Sequence, residues 1–352
     1  MKQKPPRGRA AAGNPSNRYH SHDRQPFDDG WGAQQAGPLR TSIAIDHARR
    51  AISYNDSPDI PFDRSINPYR GCEHGCIYCY ARPTHAWLDL SPGLDFESRL
   101  FVRPELPERL LQELAAPAYR PAPVAIGAIT DAYQPIEREQ QTTRRVLEIM
   151  HRTRHPALII TKSAMVERDI DLLGAMAADD LVEVAVSLTT LDKPLARCLE
   201  PRAAAPRRRL QVIETLSAAG IPVRAMLAPV IPVLNEPEIE LLLQAAHSAG
   251  ARSADYVLLR LPLVVAPLFR EWLEHYHPDA AGRVMNHVRD TRGGHDNDSR
   301  FGRRLRGSGA NAELIRQRFV LAARRLGFAS GPPLRCDLFR PPVPDTMQLP
   351  LF

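Results

Sequence analysis

The sequence lacks the features of a membrane or secreted protein. No uninterrupted apolar run approaches the roughly 18 residues that a membrane span needs, because the nearest candidate, residues 256–269, is broken by Arg260. The basic N-terminus has no apolar segment of the secretory-signal type. Lysine is scarce, so the net charge of +6 comes almost entirely from arginine. We therefore expect a cytoplasmic protein without membrane spans, whose basic balance permits a polyanionic partner such as nucleic acid.

Cysteine is also sparse, and its distribution is uneven. The chain has five cysteines, an odd number, and three of them lie within eight residues at Cys72, Cys76 and Cys79. An odd and clustered set does not suit a disulfide framework. It favours a reducing compartment and metal or redox chemistry.

Short apolar runs alternate with helical patterns through the middle of the chain. The runs cover residues 124–129, 158–161, 182–187, 223–228 and 256–261. Continuous apolar runs of this length are typical of parallel strands that are buried on both faces. With the segment that leads into the cysteines, about six strand–helix units fit, fewer than the eight of a closed barrel.

Composition divides the chain into four predicted regions. Residues 1–40 read as a disordered basic arm, and residues 41–262 hold the strand–helix units. Residues 263–330 form a helical extension with an interior stretch rich in arginine and glycine, and residues 331–352 form a proline-rich tail.

The three clustered cysteines have the spacing C-x3-C-x2-C. Three thiolates so close together can hold an iron–sulfur cubane and leave one iron open to an exogenous ligand, which favours catalysis. The alternative is a structural zinc site made of the three cysteines and His74 or His85, although no second C-x2-C pair is present.

The sequence around the cysteines resembles the radical S-adenosylmethionine (SAM) superfamily. Its words NPYRGCEHGCIYCYAR, TDAYQPIE, TKS and APVIPVLNE are similar to those of the branch that includes spore photoproduct lyase. The resemblance implies an α/β fold, a partial (βα)6 TIM-like barrel with a C-terminal helical extension. It also implies that Cys72, Cys76 and Cys79 bind a [4Fe-4S] cluster whose open iron chelates SAM.

The resemblance and the strand ends together nominate further site residues. Reactive groups in barrel-like folds collect where strands end. The catalytic candidates are Lys162, Asp131 and Cys198; the cofactor-binding candidates are Tyr78, Thr130, Asp131, Ser187, Thr189 and Ile231. For several of these a structural role is the alternative: core packing for Tyr78, local backbone bonding for Ser187 and Thr189, and a solvated side chain for Lys162. Spore photoproduct lyase uses a cysteine hydrogen-atom donor near its second strand end, and the comparable place near Thr130 has none, which argues against repair of the spore photoproduct itself.

Three segments bear on the substrate and partners. Residues 300–309 mix arginine with glycine around Phe301, a pattern that suits phosphates and a stacked base, and residues 202 and 207–209 add basic side chains. A solvated charged face is the alternative for each. The last five residues, from Gln348 to Phe352, resemble the peptide that binds the bacterial sliding clamp, and docking on the chain's own core is the alternative.

The sequence therefore predicts a radical SAM enzyme that cleaves SAM reductively and abstracts hydrogen from a substrate, with nucleic acid and a DNA lesion as the leading target. Its reductant would be a flavodoxin or ferredoxin. One alternative keeps the enzyme class with a peptide, tRNA or small metabolite as substrate. The other is a non-catalytic zinc module that bridges DNA and a partner.

Overall fold

A computed structural model describes residues 4–19 and 39–342. Its strands are β1 (Ser42–Ile45), β2 (Ser53–Tyr54), β3 (Arg64–Ile66), β4 (Tyr69–Arg70), β5 (Arg99–Val102), β6 (Val124–Ile126), β7 (Ala157–Thr161), β8 (Val182–Ser187), β9 (Val223–Val230) and β10 (Ser253–Leu258). Its α-helices are α1 (Leu94–Ser98), α2 (Leu106–Leu114), α3 (Glu137–Gln140), α4 (Thr142–Arg152), α5 (Ile170–Ala177), α6 (Lys193–Leu199), α7 (Pro206–Ala218), α8 (Ile239–Ser248), α9 (Val265–Tyr276), α10 (Pro278–Asp290) and α11 (Ala310–Leu326).

The main sheet has seven strands in the order β10-β9-β8-β7-β6-β3-β2. Six of them, β3 and β6 to β10, pair in parallel, and the short β2 runs antiparallel at one edge. These six strands match the five apolar runs and the segment before the cysteines, so the prediction of an α/β fold with six strand–helix units is confirmed.

Helices cover the outside of the sheet because the strands between them are apolar on both faces. Helices α4, α5, α7 and α8 occupy the crossovers between successive parallel strands from β6 to β10. Their buried side chains and those of the strands form one core, to which Ile159, Val184 and Leu242 belong. The carboxyl ends of the parallel strands therefore share one edge of the sheet, where fold rules place a functional site.

A second sheet, which the sequence pattern does not reveal, precedes the main crossovers. It has the order β1-β5-β4, with β1 parallel and β4 antiparallel to β5. The cysteine loop begins directly after β4, so this small sheet fixes the direction in which the loop leaves it.

The C-terminal extension is helical, as predicted, and it packs on the free edge of β10. The helical pattern over residues 266–289 is divided into α9 and α10 at His277, because Pro278 begins a new helix. Between α10 and α11, the carbonyl of Leu305 accepts a hydrogen bond of 2.9 Å from the backbone N–H of Leu258.

The segment between α10 and α11 also closes the open side of the sheet. Asp59, in the loop after β2, accepts a 3.1 Å hydrogen bond from the backbone N–H of Gly302 and pairs with Arg304 at 2.8 Å. Since β2 and β10 are the two edges of the main sheet, these contacts tie the two edges together.

The N-terminus departs from the prediction of a disordered arm over residues 1–40. Residues 4–19 have a defined path, and Arg9, Ala10, Ala11 and Ala12 are buried. The composition of this stretch is that of a mobile tail. In the structure, however, two of its backbone N–H groups donate to the buried carboxylate of Glu97, and its alanines pack beside α9.

The first part of the proline-rich tail lies at the opposite end of the strands from the cysteines. The backbone N–H of Arg335 donates to Asp180, just before β8, and that of Arg340 donates to Thr153, before β7. The peptide from Gln348 to Phe352 lies outside the described residues. No helix within 4–19 and 39–342 has the length and apolarity of a membrane span.

Candidate cofactor site

The three cysteines lie on one loop between β4 and the short 3-10 helix that starts at Arg82. Cys72 and Cys76 are buried and Cys79 is partly buried. The loop folds back on itself through two backbone hydrogen bonds of 3.2 Å, one from Gly75 to the Cys72 carbonyl and one from Cys79 to the Cys76 carbonyl. The motif spacing thus becomes a compact structural unit.

Two glycines allow the loop this path. Gly71 has φ +74° and Gly75 has φ +66°, in the left-handed region that side chains with a Cβ disfavour. Space is also lacking, since a Cβ on Gly75 would stand 2.8 Å from Oε2 of Glu97. The two glycines are therefore required by both conformation and packing.

A buried arginine, Arg82, binds two backbone carbonyls of the cysteine loop. Arg82 donates from Nε to the Cys76 carbonyl at 2.9 Å and from Nη2 to the Gly75 carbonyl at 3.0 Å. Nη2 also donates to Oε1 of Glu97 at 2.6 Å, and neither side chain is exposed. A buried ion pair with saturated hydrogen bonds fixes geometry even where its net free energy is small.

Gln134 secures the other side of the loop. Its Oε1 accepts from the backbone N–H of Glu73 at 2.9 Å, and its Nε2 donates to the Gly71 carbonyl at 3.1 Å. The side chain is fully buried. Sequence reasoning missed Gln134, although it lies within the quoted word TDAYQPIE.

The three thiols lie close enough to one another for their charges to interact, as ligands of one cluster must. Burial raises the pKa of all three, that of Cys76 to about 12, so binding of a metal would release their protons. In the part of the chain that the structure describes, no three His, Cys, Asp or Glu side chains are gathered as around one metal ion. A cubane distributes its thiolates over different irons, so its three ligands need not surround one ion.

Asp131 lies beside Cys72, but its carboxylate is fully engaged by the chain. Oδ1 accepts from the Thr161 hydroxyl at 2.8 Å and from the Tyr133 N–H at 2.9 Å, and Oδ2 accepts from the Lys162 N–H at 2.7 Å and lies 3.3 Å from His74 Nδ1. Burial would raise the pKa of Asp131, but His74 and the backbone donors hold it at about 2. Asp131 therefore joins the ends of β6 and β7.

Two of the other predicted residues also make contacts within the chain. Thr130 donates from its hydroxyl to the Tyr69 carbonyl at 2.9 Å. Ser187, at the end of β8, is buried, and its carbonyl accepts from Nη1 of Arg209 at 3.0 Å. Both residues lie at the carboxyl edge of the sheet, as predicted.

Tyr78 anchors a buried polar network behind the cysteines. Its hydroxyl donates to Glu200, which also accepts from the Thr189 hydroxyl at 2.7 Å and pairs with Arg209. Burial would raise the pKa of Glu200, but Arg209 and Lys162 hold it at about 2. Glu200 was not among the predicted site residues, because nothing in its local sequence marks a carboxylate that becomes wholly buried.

Lys162 has the freest functional group of the predicted residues. It follows β7, and its Nζ lies 5.9 Å from the centroid of the Tyr78 ring. Within the described residues Nζ has neither an ion pair nor a hydrogen bond, while its charge acts on Cys76, Cys79 and Glu200. A free ammonium beside the cysteine loop is suited to bind a carboxylate or phosphate.

Ile231 and Thr189 are brought together by an asparagine that the sequence did not single out. Asn235 accepts from the Ile231 N–H at 2.6 Å and donates to the Thr189 and Pro229 carbonyls at 2.6 and 2.9 Å. Ile231 packs in the same apolar cluster as Cys76 and Tyr78. The ends of β8 and β9 are thereby held against the cysteine loop.

Cys198 lies on α6, on the side of the C-terminal helices. Its carbonyl accepts from Nε1 of Trp272 at 3.0 Å, and its side chain is partly buried. Burial raises the pKa of its thiol. These contacts are those of a packing residue.

The basic segments predicted to meet nucleic acid are largely neutralised. Within residues 300–309, Arg300, Arg304 and Arg306 pair with aspartates, and the Arg304 guanidinium lies 4.8 Å from the Phe301 ring centroid. In the second basic cluster, residues 202, 208 and 209 each pair with a glutamate. The arginine-rich segment therefore serves mainly to close the sheet.

Comparisons with known proteins agree with this architecture. The model of the radical SAM superfamily matches residues 66–246. The uncharacterized protein Rv2578c of Mycobacterium tuberculosis is 34% identical over 272 residues, 73% of this chain and 80% of its own. The uncharacterized protein MJ0683 of Methanocaldococcus jannaschii is 30% identical over 221 residues, 63% of this chain and 79% of its own.

Solved structures of spore photoproduct lyase share the fold. The complex with dinucleoside spore photoproduct has a TM-score of 0.53 and 14% identity and covers 81% of this chain and 78% of its own. A variant with bound AdoMet and the same dinucleoside has a TM-score of 0.54. The family match spans the cysteine loop and four of the six parallel strands, β6 to β9, and begins at the last residue of β3. The chain belongs to the radical SAM superfamily, whose enzymes work with a [4Fe-4S] cluster and SAM.

Proposed function

We propose that Cys72, Cys76 and Cys79 bind the [4Fe-4S] cluster and that the enzyme abstracts hydrogen from a nucleic-acid substrate. The observation that carries the first part is the loop itself, since glycines, Arg82 and Gln134 hold its two buried thiols and one partly buried thiol together. Held by Cys72, Cys76 and Cys79, the cluster would supply the electron for reductive cleavage of SAM, the source of the hydrogen-abstracting radical.

The chain's own residues would position the cofactor. Lys162 is the cation for the SAM carboxylate, because its Nζ is free and lies beside Tyr78. Ile231 and Tyr78 offer apolar surface from the same cluster of side chains as Cys76. Asp131 and Glu200 act as positioning residues, since their carboxylates are bound by the protein and fix the strand ends.

A nucleic-acid substrate is supported by the shared fold with a protein solved with a dinucleoside lesion, and by the net charge of +6. The substrate is not the spore photoproduct in this proposal. Thr130 lies after the second parallel strand with its hydroxyl on a backbone carbonyl, and no cysteine adjoins it.

Two measurements on anaerobically purified protein test the proposal. Wild-type protein should hold about four irons per chain and form 5′-deoxyadenosine when reduced with SAM. Cys76→Ala should lose most of the iron, while Cys336→Ala, which changes a thiol at the other end of the strands, should keep it. Full iron in Cys76→Ala would refute the assignment of the ligands.

The substrate class is tested by isotope transfer. Oligonucleotides deuterated at the sugar or at the thymine methyl group are incubated with reduced enzyme and SAM, and deuterium in 5′-deoxyadenosine is measured by mass spectrometry. Label from an oligonucleotide supports the proposal. Label from a peptide or tRNA pool and none from DNA would replace it with the corresponding substrate.

A further inference from the structure

Arg260 lies at the carboxyl edge of the sheet, two residues after the end of β10. Its guanidinium carbon is 5.3 Å from the centroid of the Tyr80 ring. Tyr80 directly follows Cys79, is 46% exposed, and donates its hydroxyl to the Ala128 carbonyl, just after β6. Arg260 therefore borders the cysteine loop at a place that solvent reaches.

Within residues 4–19 and 39–342 the Arg260 guanidinium forms no ion pair, although the charge of Asp59 acts on it from a distance. Its Nε is buried and has no hydrogen-bond partner. The nearby Asp59 is already bound by Arg304, Ser57 and the Gly302 N–H. Arg260 thus differs from Arg304, whose charge is balanced by an aspartate.

Other arginines surround the Arg260 guanidinium. Arg304 and Arg292 both act on Arg260 as like charges. Both Nη atoms of Arg292 donate to backbone carbonyls, those of Leu258 and Leu259 among them. Arg260 as a whole is only partly buried, but its Nε has lost contact with water without gaining a partner, which costs free energy. An oxyanion beside Arg260 would supply that partner.

We propose that Arg260 binds an oxyanion of the substrate, a backbone phosphate of the nucleic acid, next to the cluster loop. This inference rests on the proposed function and adds a substrate contact to it. The cofactor carboxylate is the other source of an oxyanion. Lys162 already suits that carboxylate. It follows β7, which lies three strand positions from β10, so the strands that carry Lys162 and Arg260 are about 14 Å apart across the sheet.

A binding experiment with neutral and charged probes tests the assignment. Holoenzyme with SAM is titrated anaerobically with thymidylyl-thymidine and with its methylphosphonate analogue, whose linkage has no charge. The variants are Arg260→Gln, Arg260→Lys and the control Arg152→Gln, which removes an exposed arginine at the end of α4. SAM affinity is measured on each variant without dinucleotide.

We expect Arg260→Gln to weaken the phosphodiester probe about tenfold or more and to leave the neutral probe as in wild type. Arg260→Lys should retain part of the affinity, since it keeps the charge and loses the planar fork. Arg152→Gln should bind like wild type. Unchanged phosphodiester affinity, or equal loss of both probes, would overturn the proposal. Weakened SAM binding with unchanged dinucleotide binding would assign Arg260 to the cofactor instead.

Failure of the proposed substrate class would give a different result. If wild-type protein binds neither dinucleotide, the nucleic-acid proposal fails while the oxyanion site remains to be decided. Inorganic phosphate then serves as the probe. Phosphate should raise the unfolding temperature of wild type more than that of Arg260→Gln, and equal shifts would reject the oxyanion site as well.

Discussion

The buried carboxylate of Glu97 should be essential for the stability of the cysteine loop. Three donors converge on it: Nη2 of Arg82 at 2.6 Å and the backbone N–H groups of Ala10 and Ala11, both at 3.0 Å. Neither Glu97 nor Arg82 is exposed. Glu97→Gln keeps the shape of the side chain but leaves the Arg82 guanidinium buried without a negative partner.

Breaking a buried ion pair by removing one partner costs about 3–5 kcal/mol. We expect Glu97→Gln to lower the free energy of unfolding by about that amount. The matched control is Glu313→Gln, because the Glu313–Arg316 pair lies on the surface of α11 with both side chains about half exposed. That pair should contribute little to stability, because solvent screens it.

The assay is urea unfolding of anaerobic, reduced protein, followed by circular dichroism, with iron content measured in parallel. Glu97→Gln should lose iron as well as stability, because Arg82 holds the Cys76 carbonyl. A change below about 1 kcal/mol with full iron would refute the reasoning, since the pair would then behave as if it were exposed.

Three further predictions concern the same site. The pKa of Glu200 is held at about 2, below its ordinary value, so its contribution to stability is present near neutral pH and is lost as the pH falls towards about 2. Glu200→Gln should therefore flatten the acid side of a plot of the urea midpoint against pH. An unchanged acid side would contradict this. Lys162→Met should weaken SAM binding about tenfold by equilibrium dialysis, whereas Lys193→Met, at the start of α6, should not; equal affinities would remove Lys162 from the cofactor site. Gly75→Ala should cost at least about 1–2 kcal/mol and much of the iron, because φ is +66° and the new Cβ would meet Glu97, whereas Gly282→Ala, in an open helical position, should cost nothing in either measurement.

The parts of this molecule that sequence could predict are those encoded locally. Five of the six parallel strands carry an apolar run, and the sixth lies in the segment before the cysteines, so six strand–helix units could be counted without knowing their partners. The cysteine motif was equally visible, because its ligands lie within eight residues. Because Lys162 and Asp131 follow predicted strands, the sequence also predicts that both lie at the carboxyl edge of the sheet.

The contacts that sequence did not predict join residues far apart in the chain. Glu97 meets Ala11, 86 positions away, and composition alone made residues 4–19 resemble a mobile arm. Sequence also shows an arginine without showing its partner. The sequence therefore predicts phosphate contacts for Arg304 and Arg306, although Asp59 and Asp255 balance their charges. No local pattern distinguishes Arg260, which forms no ion pair within the described residues.

The ion pair between Asp59 and Arg304, which ties the two edges of the main sheet together, also affects when the fold can be completed during synthesis. The two residues are separated by 245 positions, so the ribosome must release most of the polypeptide before the wall of the barrel can be completed. Contacts of such long range form late, because the intervening loop entropy is lost before they are gained. Iron delivered to a nascent chain would meet cysteines still open to solvent on the side that the Asp59–Arg304 contact later closes. Maturation of the metal centre should therefore follow translation.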